Sequence, residues 1–310
     1  MATRRLPCGL HAFGPRRDPV PVRVLVTGDC GKVGVLVADQ LQQRGYAVVG
    51  FDLADGSDLL DLAAVIRAAR GADAIVHLGA LAHDSAGSPE RIMAVNVLGT
   101  WHVLLAAEAV GARKVIHFSS GQALGIAEGE RLPDYFPVDD HHPRRAMRPY
   151  GLSKRLAEDL CEGFTRRTEI VTVSLRPVAV WSPDRYRRVE EQRRAAPESE
   201  WEPYWEYGAF VDVRDVAAAV ERTLEIPLAG HHRALLCAAD IAASAPSLEL
   251  AARLAPSVPV HNPERYIKNP SGALFDCSTA ESVLDWKPRY RWADRKQHER
   301  ASSPTVRHDS

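Results

Sequence analysis

The stretch VRVLVTGDCGKVG, residues 22–34, joins an apolar, β-branched run to three regularly spaced glycines. The run ends at Thr27, and a helical pattern begins within Gly28, Gly31 and Gly34. A strand, a tight glycine turn and a helix N-terminus form a cradle for a pyrophosphate, because their backbone N–H groups point at its oxygens. A side chain at Gly28 or Gly31 would block that approach. The stretch therefore predicts a phosphate-binding turn, with a purely structural turn as the alternative.

An acidic residue follows the second predicted strand. The run Tyr46–Phe51 has a strand pattern, and Asp52 ends it about twenty positions beyond the turn. A carboxylate at that point accepts hydrogen bonds from the adenosine ribose and repels a 2′-phosphate, which favours NAD over NADP. Lys32 weakens the preference, and a solvated strand-end carboxylate is the alternative. The cofactor-binding residues predicted from these two motifs are Gly28, Cys30, Gly31, Lys32, Val33, Gly34 and Asp52.

Strands and helices alternate along the first half of the chain. Ala74–Leu78 and Lys114–Phe118 have the pattern of buried strands, and a helical pattern runs between them from about Pro89 to Val110. The alternation predicts an α/β fold, a Rossmann-type parallel sheet wound on both faces. Ligands bind at the carboxyl edge of such a sheet, so Ser120, after the fourth strand, is predicted to lie beside the cofactor.

A long loop, residues 121–148, separates Ser120 from the next helix. Loops of this length in a compact domain are usually functional. The run DDHH at residues 139–142 contains only metal-ligand types of side chain. Consecutive residues in an extended loop point in alternating directions, however, and do not converge easily on one ion. We therefore predict no metal site here, but a solvated loop that leads into a helix.

The helix that begins near Pro149 carries Tyr150 and Lys154 on one face, since they are four residues apart. A nearby cation favours the phenolate of a tyrosine, whose ordinary pKa is about 10. Such pairs are common on ordinary helix surfaces. The pair gains chemical meaning because the glycine turn, the acidic second strand and Ser120 precede it in order.

These motifs together resemble the extended short-chain dehydrogenase/reductase family, in its NAD-dependent epimerase/dehydratase group. The resemblance is carried by TGDCGKVG (27–34), FD (51–52), DL (61–62), HLGA (77–80), NVLGT (96–100), FSS (118–120), YGLSK (150–154), SLRP (174–177), FVDVRDVA (210–217) and LFDCSTA with LDWKP between residues 274 and 288. It implies that Ser120 polarises the substrate hydroxyl, Tyr150 acts as acid and base, and Lys154 holds the cofactor ribose. The cofactor-binding residues that it adds are Asp61, Leu62, Leu78, Gly79, Ala80, Asn96, Tyr150, Lys154 and Pro177. It also implies a homodimer through the helices bearing Asn96 and Tyr150.

The sequence departs from some family members in ways that limit its chemistry. Dehydratases of the group have an acidic pair after the catalytic hydroxyl, whereas Gly121 and Gln122 follow Ser120 here. Dehydration is therefore not expected. The V-Y-G usual in epimerases is replaced by Ala123-Leu124-Gly125, which mildly weakens the case for an epimerase.

The segment from Ser182 to Tyr207 is dense in arginine and aromatic residues, after an irregular stretch predicted to begin at Arg176-Pro177. Arginine binds phosphate or carboxylate through two hydrogen bonds, and aromatic faces stack on bases or sugars. A mobile, charged surface loop is the alternative. Residues 182–187 also resemble the carboxylate-binding loop of uronate dehydrogenases. The predicted substrate-binding residues are Gln122, Arg185, Arg187 and Arg188.

Composition indicates the class of protein, its location and its partners. The 310 residues have a net charge of −1 and 45% hydrophobic residues, and the five cysteines are scattered. We expect a soluble cytoplasmic protein without disulfides, with no nucleic acid or membrane as partner. We also expect an NAD-binding domain over residues 21–180 and a substrate-binding lobe over 181–292, the chain returning to the core near 210–240. Residues 1–20 and 293–310 are predicted to be disordered tails.

The predicted function is that of an NAD-dependent oxidoreductase acting on a sugar hydroxyl, most simply a nucleotide-sugar epimerase working through a ketone. The first alternative is a sugar or uronate dehydrogenase that releases NADH. An alternative of another class is a non-catalytic regulatory protein that binds NAD.

Overall fold

The computed structural model describes residues 21–201 and 203–296, which form an α/β fold. The strands are β1 Arg23–Thr27, β2 Ala47–Phe51, β3 Ala74–His77, β4 Lys114–Phe118, β5 Val171–Pro177, β6 Val180–Trp181, β7 Val211–Asp212 and β8 His231–Leu236. Six of them form one parallel sheet in the order β2-β1-β3-β4-β5-β8, and β6 pairs with β7 in a small second sheet. The predicted Rossmann-type parallel sheet is confirmed.

Ten α-helices accompany these strands in the described ranges. They are α1 Gly34–Gln43, α2 Leu62–Ala69, α3 Pro89–Met93, α4 Gly99–Val110, α5 Pro149–Thr168, α6 Pro183–Ala195, α7 Val213–Glu225, α8 Ser247–Leu254, α9 Glu264–Lys268 and α10 Ser278–Leu284. A π-helical segment, Ala94–Leu98, joins α3 to α4, so that one helix runs from Pro89 to Val110.

Helices cover both faces of the sheet, because successive residues of each strand point to opposite sides. On one face Val24 packs with α1 and α7 in a cluster that includes Val37 and Val216. On the other face Leu25 packs with α2, α4 and α5 in a separate cluster that includes Leu104. The described part of the C-terminal lobe, residues 237–296, adds α8, α9 and α10 to the first of these clusters.

A buried lysine of β4 terminates α7. The Lys114 side chain, 1% exposed, donates from Nζ to the carbonyl oxygens of Thr223, Leu224 and Ile226 at the end of that helix. A cation at a helix C-terminus satisfies carbonyls that have no partner within the helix. Lys114 therefore links the sheet to α7.

The loop between Ser120 and α5 is joined to the C-terminal lobe by backbone hydrogen bonds. Phe136 N donates to Pro259 O over 2.9 Å, and Val138 N donates to Leu274 O over 2.9 Å. Asp276 N returns a bond of 2.7 Å to Val138 O. The distal half of this loop is therefore part of the lobe's framework.

Two predictions about this region were wrong. The stretch at Arg176 is not irregular, since Arg176 lies in β5 opposite Leu235 of β8 and its side chain is fully buried. The loop at residues 139–142 is not solvated throughout, because Asp140 pairs with Arg176 over 3.1 Å and His142 is 3% exposed. A buried guanidinium requires carboxylate partners, and the loop supplies one.

The segment after Ser182 is also not the mobile surface loop that was its alternative interpretation. Residues 183–195 form α6, whose inner face buries Tyr186 and Val189. Tyr186 donates to Asp212 Oδ2 over 2.9 Å and packs edge-on against Trp181. The predicted N-terminal tail and residues 297–310 of the predicted C-terminal tail lie outside the described residues. The prediction of disorder was wrong at Ala293, which lies in a short helix and donates from its N to Asp240 Oδ2 over 3.0 Å.

Candidate active site

The glycine turn between β1 and α1 packs directly against the loop that follows β3. Gly28 has φ +74°, and a Cβ placed there would lie 2.6 Å from Gly79 N. A Cβ on Gly34 would lie 1.9 Å from Gly28 O, and one on Gly31 would lie 3.1 Å from the same atom. The backbone contacts alone therefore require glycine at Gly28 and Gly34. The result is an open turn of bare backbone, which fits the pyrophosphate of a dinucleotide.

Two carboxylates hold this turn against the end of β2. Asp52 accepts from Cys30 N at 3.3 Å and from Ala54 N at 2.9 Å. Asp29 accepts from Phe51 N at 2.8 Å. The structure thus brings the predicted Asp52 to the turn. Sequence reasoning missed Asp29, although its place between the first two glycines was a signal for a turn-stabilising side chain.

Ser120, Tyr150 and Lys154 come together in the interior, beside the end of β4. The Ser120 side chain acts on the Tyr150 hydroxyl and lowers its pKa, and Ser120 Oγ accepts from Gln122 N at 3.1 Å. Lys154 Nζ donates to Phe118 O over 2.6 Å and lies 5.9 Å from the centre of the Tyr150 ring. The structure therefore assembles the three predicted catalytic side chains.

The electrostatics of this set oppose formation of the phenolate in the protein alone. The pKa of Tyr150 is raised to about 12, mainly by burial; the Ser120 side chain opposes this rise, and the carboxylates of Glu206 and Asp84 contribute to it. Burial lowers the pKa of Lys154 to about 8. Additional positive charge at the site would favour the phenolate.

The other predicted cofactor residues occupy three places. Leu78, Gly79 and Ala80 follow β3 beside the glycine turn, and Pro177 O lies 3.6 Å from a Cβ built on Gly121. Asp61 caps α2, accepting from Ala64 N at 3.0 Å, with Leu62 as the first residue of that helix.

Asn96 lies inside the fold, where it joins two elements of the site. Its Oδ1 accepts from Leu81 N at 2.8 Å, and its Nδ2 donates to Leu81 O and to Ser153 Oγ, both at 3.0 Å. These three bonds link the loop after β3 to α5. A cofactor contact of Asn96 remains a prediction.

The predicted arginines lie on α6. Arg187 is exposed and pairs with Asp184 over 3.3 Å, Arg188 is exposed, and Arg185 is half-buried. Their contact with a substrate remains a prediction. Tyr207 is one of the aromatic residues of this segment that were predicted to stack on a base or sugar. It is buried and packs edge-on against Phe136. The side chains of Trp201, Tyr204 and Trp205 lie outside the described residues.

Sequence reasoning missed a buried ion network behind the catalytic helix. Glu158 accepts from Ser119 Oγ at 2.6 Å, from Arg176 at 2.7 and 2.8 Å, and from Arg233 at 3.2 Å. The side chains of Glu158 and Arg176 are both fully buried. Glu158 follows Lys154 by four residues, and this helical spacing was the available signal.

A second missed residue is Glu206, near the end of the arginine-rich segment. Its φ is +50°, its side chain is 7% exposed, and its carboxylate acts electrostatically on Tyr150. Tyr207 and Gly208 also have positive φ values, of 58° and 76°. Left-handed conformations at two successive non-glycine residues, Glu206 and Tyr207, are costly, and such strain concentrates at functional sites.

Together, the Rossmann-type sheet, the glycine turn with Asp52 and the buried set of Ser120, Tyr150 and Lys154 define a dinucleotide-dependent oxidoreductase. The chain belongs to the NAD-dependent epimerase/dehydratase family, whose profile matches residues 24–237. This result confirms the predicted family and the prediction of NAD as cofactor.

Relatives in this family catalyse more than one reaction. The chain is 28% identical over 222 residues to uronate dehydrogenase of Pseudomonas syringae pv. tomato, covering 67% of this chain and 72% of that protein. It is 35% identical over 169 residues to uronate dehydrogenase of Pseudomonas putida, covering 50% and 59%. It is 29% identical over 160 residues to a putative UDP-glucose 4-epimerase of Methanocaldococcus jannaschii, covering 46% and 51%.

A solved structure shows the same fold. A short-chain dehydrogenase/reductase superfamily protein from Agrobacterium tumefaciens, crystallised with bound NAD, superposes with a TM-score of 0.67 at 24% identity. The superposition covers 90% of this chain and 96% of that one.

Proposed function

We propose that this protein uses NAD to oxidise a hydroxyl group of a sugar. The observation that carries the proposal is the burial of Ser120, Tyr150 and Lys154 in one site, where Ser120 acts on the Tyr150 hydroxyl and Lys154 Nζ lies 5.9 Å from the Tyr150 ring centre. A hydroxyl pair of this kind can hold one substrate oxygen between two groups, one of which can take its proton. The uronate dehydrogenases and the putative UDP-glucose 4-epimerase named above support a sugar as substrate.

Each side chain has a separate role in this chemistry. Ser120 Oγ hydrogen-bonds the substrate oxygen, and the Tyr150 phenolate removes the hydroxyl proton. When bound, NAD supplies the acceptor for the hydride, which leaves the carbon that carries this hydroxyl group. Lys154, held at 2.6 Å from Phe118 O, provides positive charge that favours the phenolate.

Two reactions begin with this oxidation and differ in the fate of the hydride. A nucleotide-sugar epimerase returns the hydride to the other face of the ketone and consumes no NAD. A uronate dehydrogenase releases the oxidised sugar with NADH, and the alignment to such an enzyme over 67% of the chain favours this second candidate. An absorbance assay for NADH, run with UDP-hexoses and with free uronates, separates them. NADH formed in proportion to substrate consumed would contradict the epimerase.

The role of Tyr150 is tested by Tyr150→Phe, which keeps the ring but removes the hydroxyl group that takes the substrate proton. We expect turnover to fall by about a hundredfold or more while NAD binding stays within about twofold. Equal turnover of wild type and variant would overturn the proposed chemistry. If the variant also preserved a biological output that depends on NAD binding, the non-catalytic alternative would be supported.

The apolar surface of the α3–α4 helix and α5 supports a homodimer. Met93, Val97, Leu98, Trp101, Leu156 and Leu160 line a shallow groove of about 460 Å³ there. By length and composition alone, the helix Pro89–Val110 could also cross a membrane. We propose a second copy as the occupant, because Asn96 and Thr100 of this helix are buried and hydrogen-bonded within the fold.

A further inference from the structure

A buried histidine of β3 lies between the glycine turn and the helix that carries Asn96. His77 is 3% exposed, with Nδ1 2.7 Å from Thr27 Oγ1 and Nε2 3.1 Å from Thr100 Oγ1. Thr27 directly precedes Gly28, and Thr100 lies in the first turn of α4. The imidazole therefore joins the strand end before the cofactor turn to a different helix.

The direction of each hydrogen bond around His77 can be assigned. The Thr100 hydroxyl donates its only proton to Asn96 O over 2.6 Å, so it must accept from His77 Nε2–H. In a neutral imidazole Nδ1 is then an acceptor, and Thr27 Oγ1 donates to it. Thr27 Oγ1 in turn accepts from Gly79 N over 3.2 Å. Burial lowers the pKa of His77 to about 3, which keeps the ring neutral.

The series of hydrogen bonds continues from Asn96 to α5, the helix that carries Tyr150. Thr100 holds the carbonyl of Asn96 within the π-helical segment, a helix variant that is frequent at functional sites. The Asn96 side chain donates to Ser153 Oγ over 3.0 Å, and Ser153 Oγ donates to Tyr150 O over 2.7 Å. A path of hydrogen bonds, connected through the His77 ring and through Asn96, thus runs from Gly79 N to the first turn of α5.

We propose that His77 is a positioning residue that holds the wall of the NAD turn and the helix turn bearing Tyr150 in one fixed arrangement. Gly79 forms that wall, since its amide lies 2.6 Å from a Cβ built on Gly28. Every hydroxyl and ring proton on the path has one assigned partner, so the loss of one link leaves its neighbours unsatisfied. The proposal rests on the proposed function, because it requires NAD in the glycine turn.

The test removes the link at Thr100, which is distant in sequence from the turn. We expect Thr100→Val to weaken NAD binding, measured by titration calorimetry, about tenfold, and Thr100→Ser to stay within about twofold. The matched control is Thr223→Val on α7, since the fully buried Thr223 also donates to the carbonyl four residues earlier, Ala219 O, over 2.7 Å. The control should bind NAD like the wild type.

Hydrogen exchange reports the coupling separately from affinity. Without NAD, Thr100→Val should speed amide exchange over residues 78–81 and 150–154 together, whereas Thr100→Ser and Thr223→Val should exchange like the wild type. Wild-type affinity in Thr100→Val, an equal loss in Thr223→Val, or faster exchange in Thr100→Val over only one of the two segments would each overturn the proposal.

The histidine tautomer tests the path without cofactor or turnover. Nitrogen-15 NMR of the wild type should show His77 protonated at Nε2, and protonation at Nδ1 would contradict the assigned chain. A wild type that binds NAD but oxidises no sugar would refute the proposed function while leaving these measurements interpretable. Failure of the wild type to bind NAD would overturn both the proposed cofactor use and the coupling.

Discussion

At the scale of single residues, Tyr150 depends on the charges that surround it. Burial raises its pKa to about 12, with the Glu206 carboxylate adding to the effect. A general base must be deprotonated, so a high pKa confines activity to the alkaline side of the pH profile. Removing a negative charge near the phenol lowers the pKa, and the acidic limb of the profile then moves to lower pH.

Glu206→Gln should therefore shift the acidic limb of the kcat/KM profile to lower pH by roughly half a unit. The control is Glu281→Gln, because Glu281 lies at the surface, where it pairs with Lys287. An unchanged limb in Glu206→Gln would show that the Glu206 carboxylate does not act on Tyr150 in the working enzyme.

Gly28 permits a second prediction at this scale. Gly28→Ala places a methyl group 2.6 Å from Gly79 N in a left-handed conformation, so we expect destabilisation by about 2 kcal/mol or more and loss of NAD binding. Gly163→Ala within α5 is the matched control, since a Cβ there meets nothing within 4 Å. That substitution should stabilise the protein by about 0.5–1 kcal/mol in urea unfolding. Equal stability of the two variants would contradict this explanation of the turn.

At the scale of elements, the buried charge of Lys114 stabilises the C-terminal end of α7. Lys114→Met should cost about 2–3 kcal/mol, because the three carbonyls at the end of α7 lose their donor. Lys287→Met, at a 73% exposed side chain, should change stability by less than about 0.5 kcal/mol. Urea unfolding measures both, and a neutral Lys114→Met would show that water replaces the ammonium.

The elements also show what sequence can predict. Glycine spacing and strand alternation predicted the parallel sheet, and the order of motifs predicted that Ser120 and Tyr150 lie in one site. The segment after Ser182 was misjudged because its many arginines obscure a single buried stripe containing Tyr186 and Val189. The Glu158–Arg176 pair could not be foreseen, since it depends on contacts between α5 and β5 that local patterns do not encode.

At the scale of the whole molecule, the apolar groove on α4 and α5 predicts self-association. Leu98→Lys, at a side chain 45% exposed, should shift the protein from dimer to monomer in analytical ultracentrifugation. Ile267→Lys is the control, because Ile267 is 74% exposed on α9 and outside the groove. A monomeric wild type would contradict the dimer, and co-sedimentation with lipid vesicles would point to a membrane instead.

The hydrogen bonds of Phe136 and Val138 to the lobe have a consequence for protein engineering. A chimera could be cut between the Rossmann-type sheet and the C-terminal lobe. Here such a cut would leave the loop's backbone groups without the strand-like partners at Pro259, Leu274 and Asp276. A transplant that changes substrate range must therefore carry residues 134–140 together with residues 257–277 as one cassette.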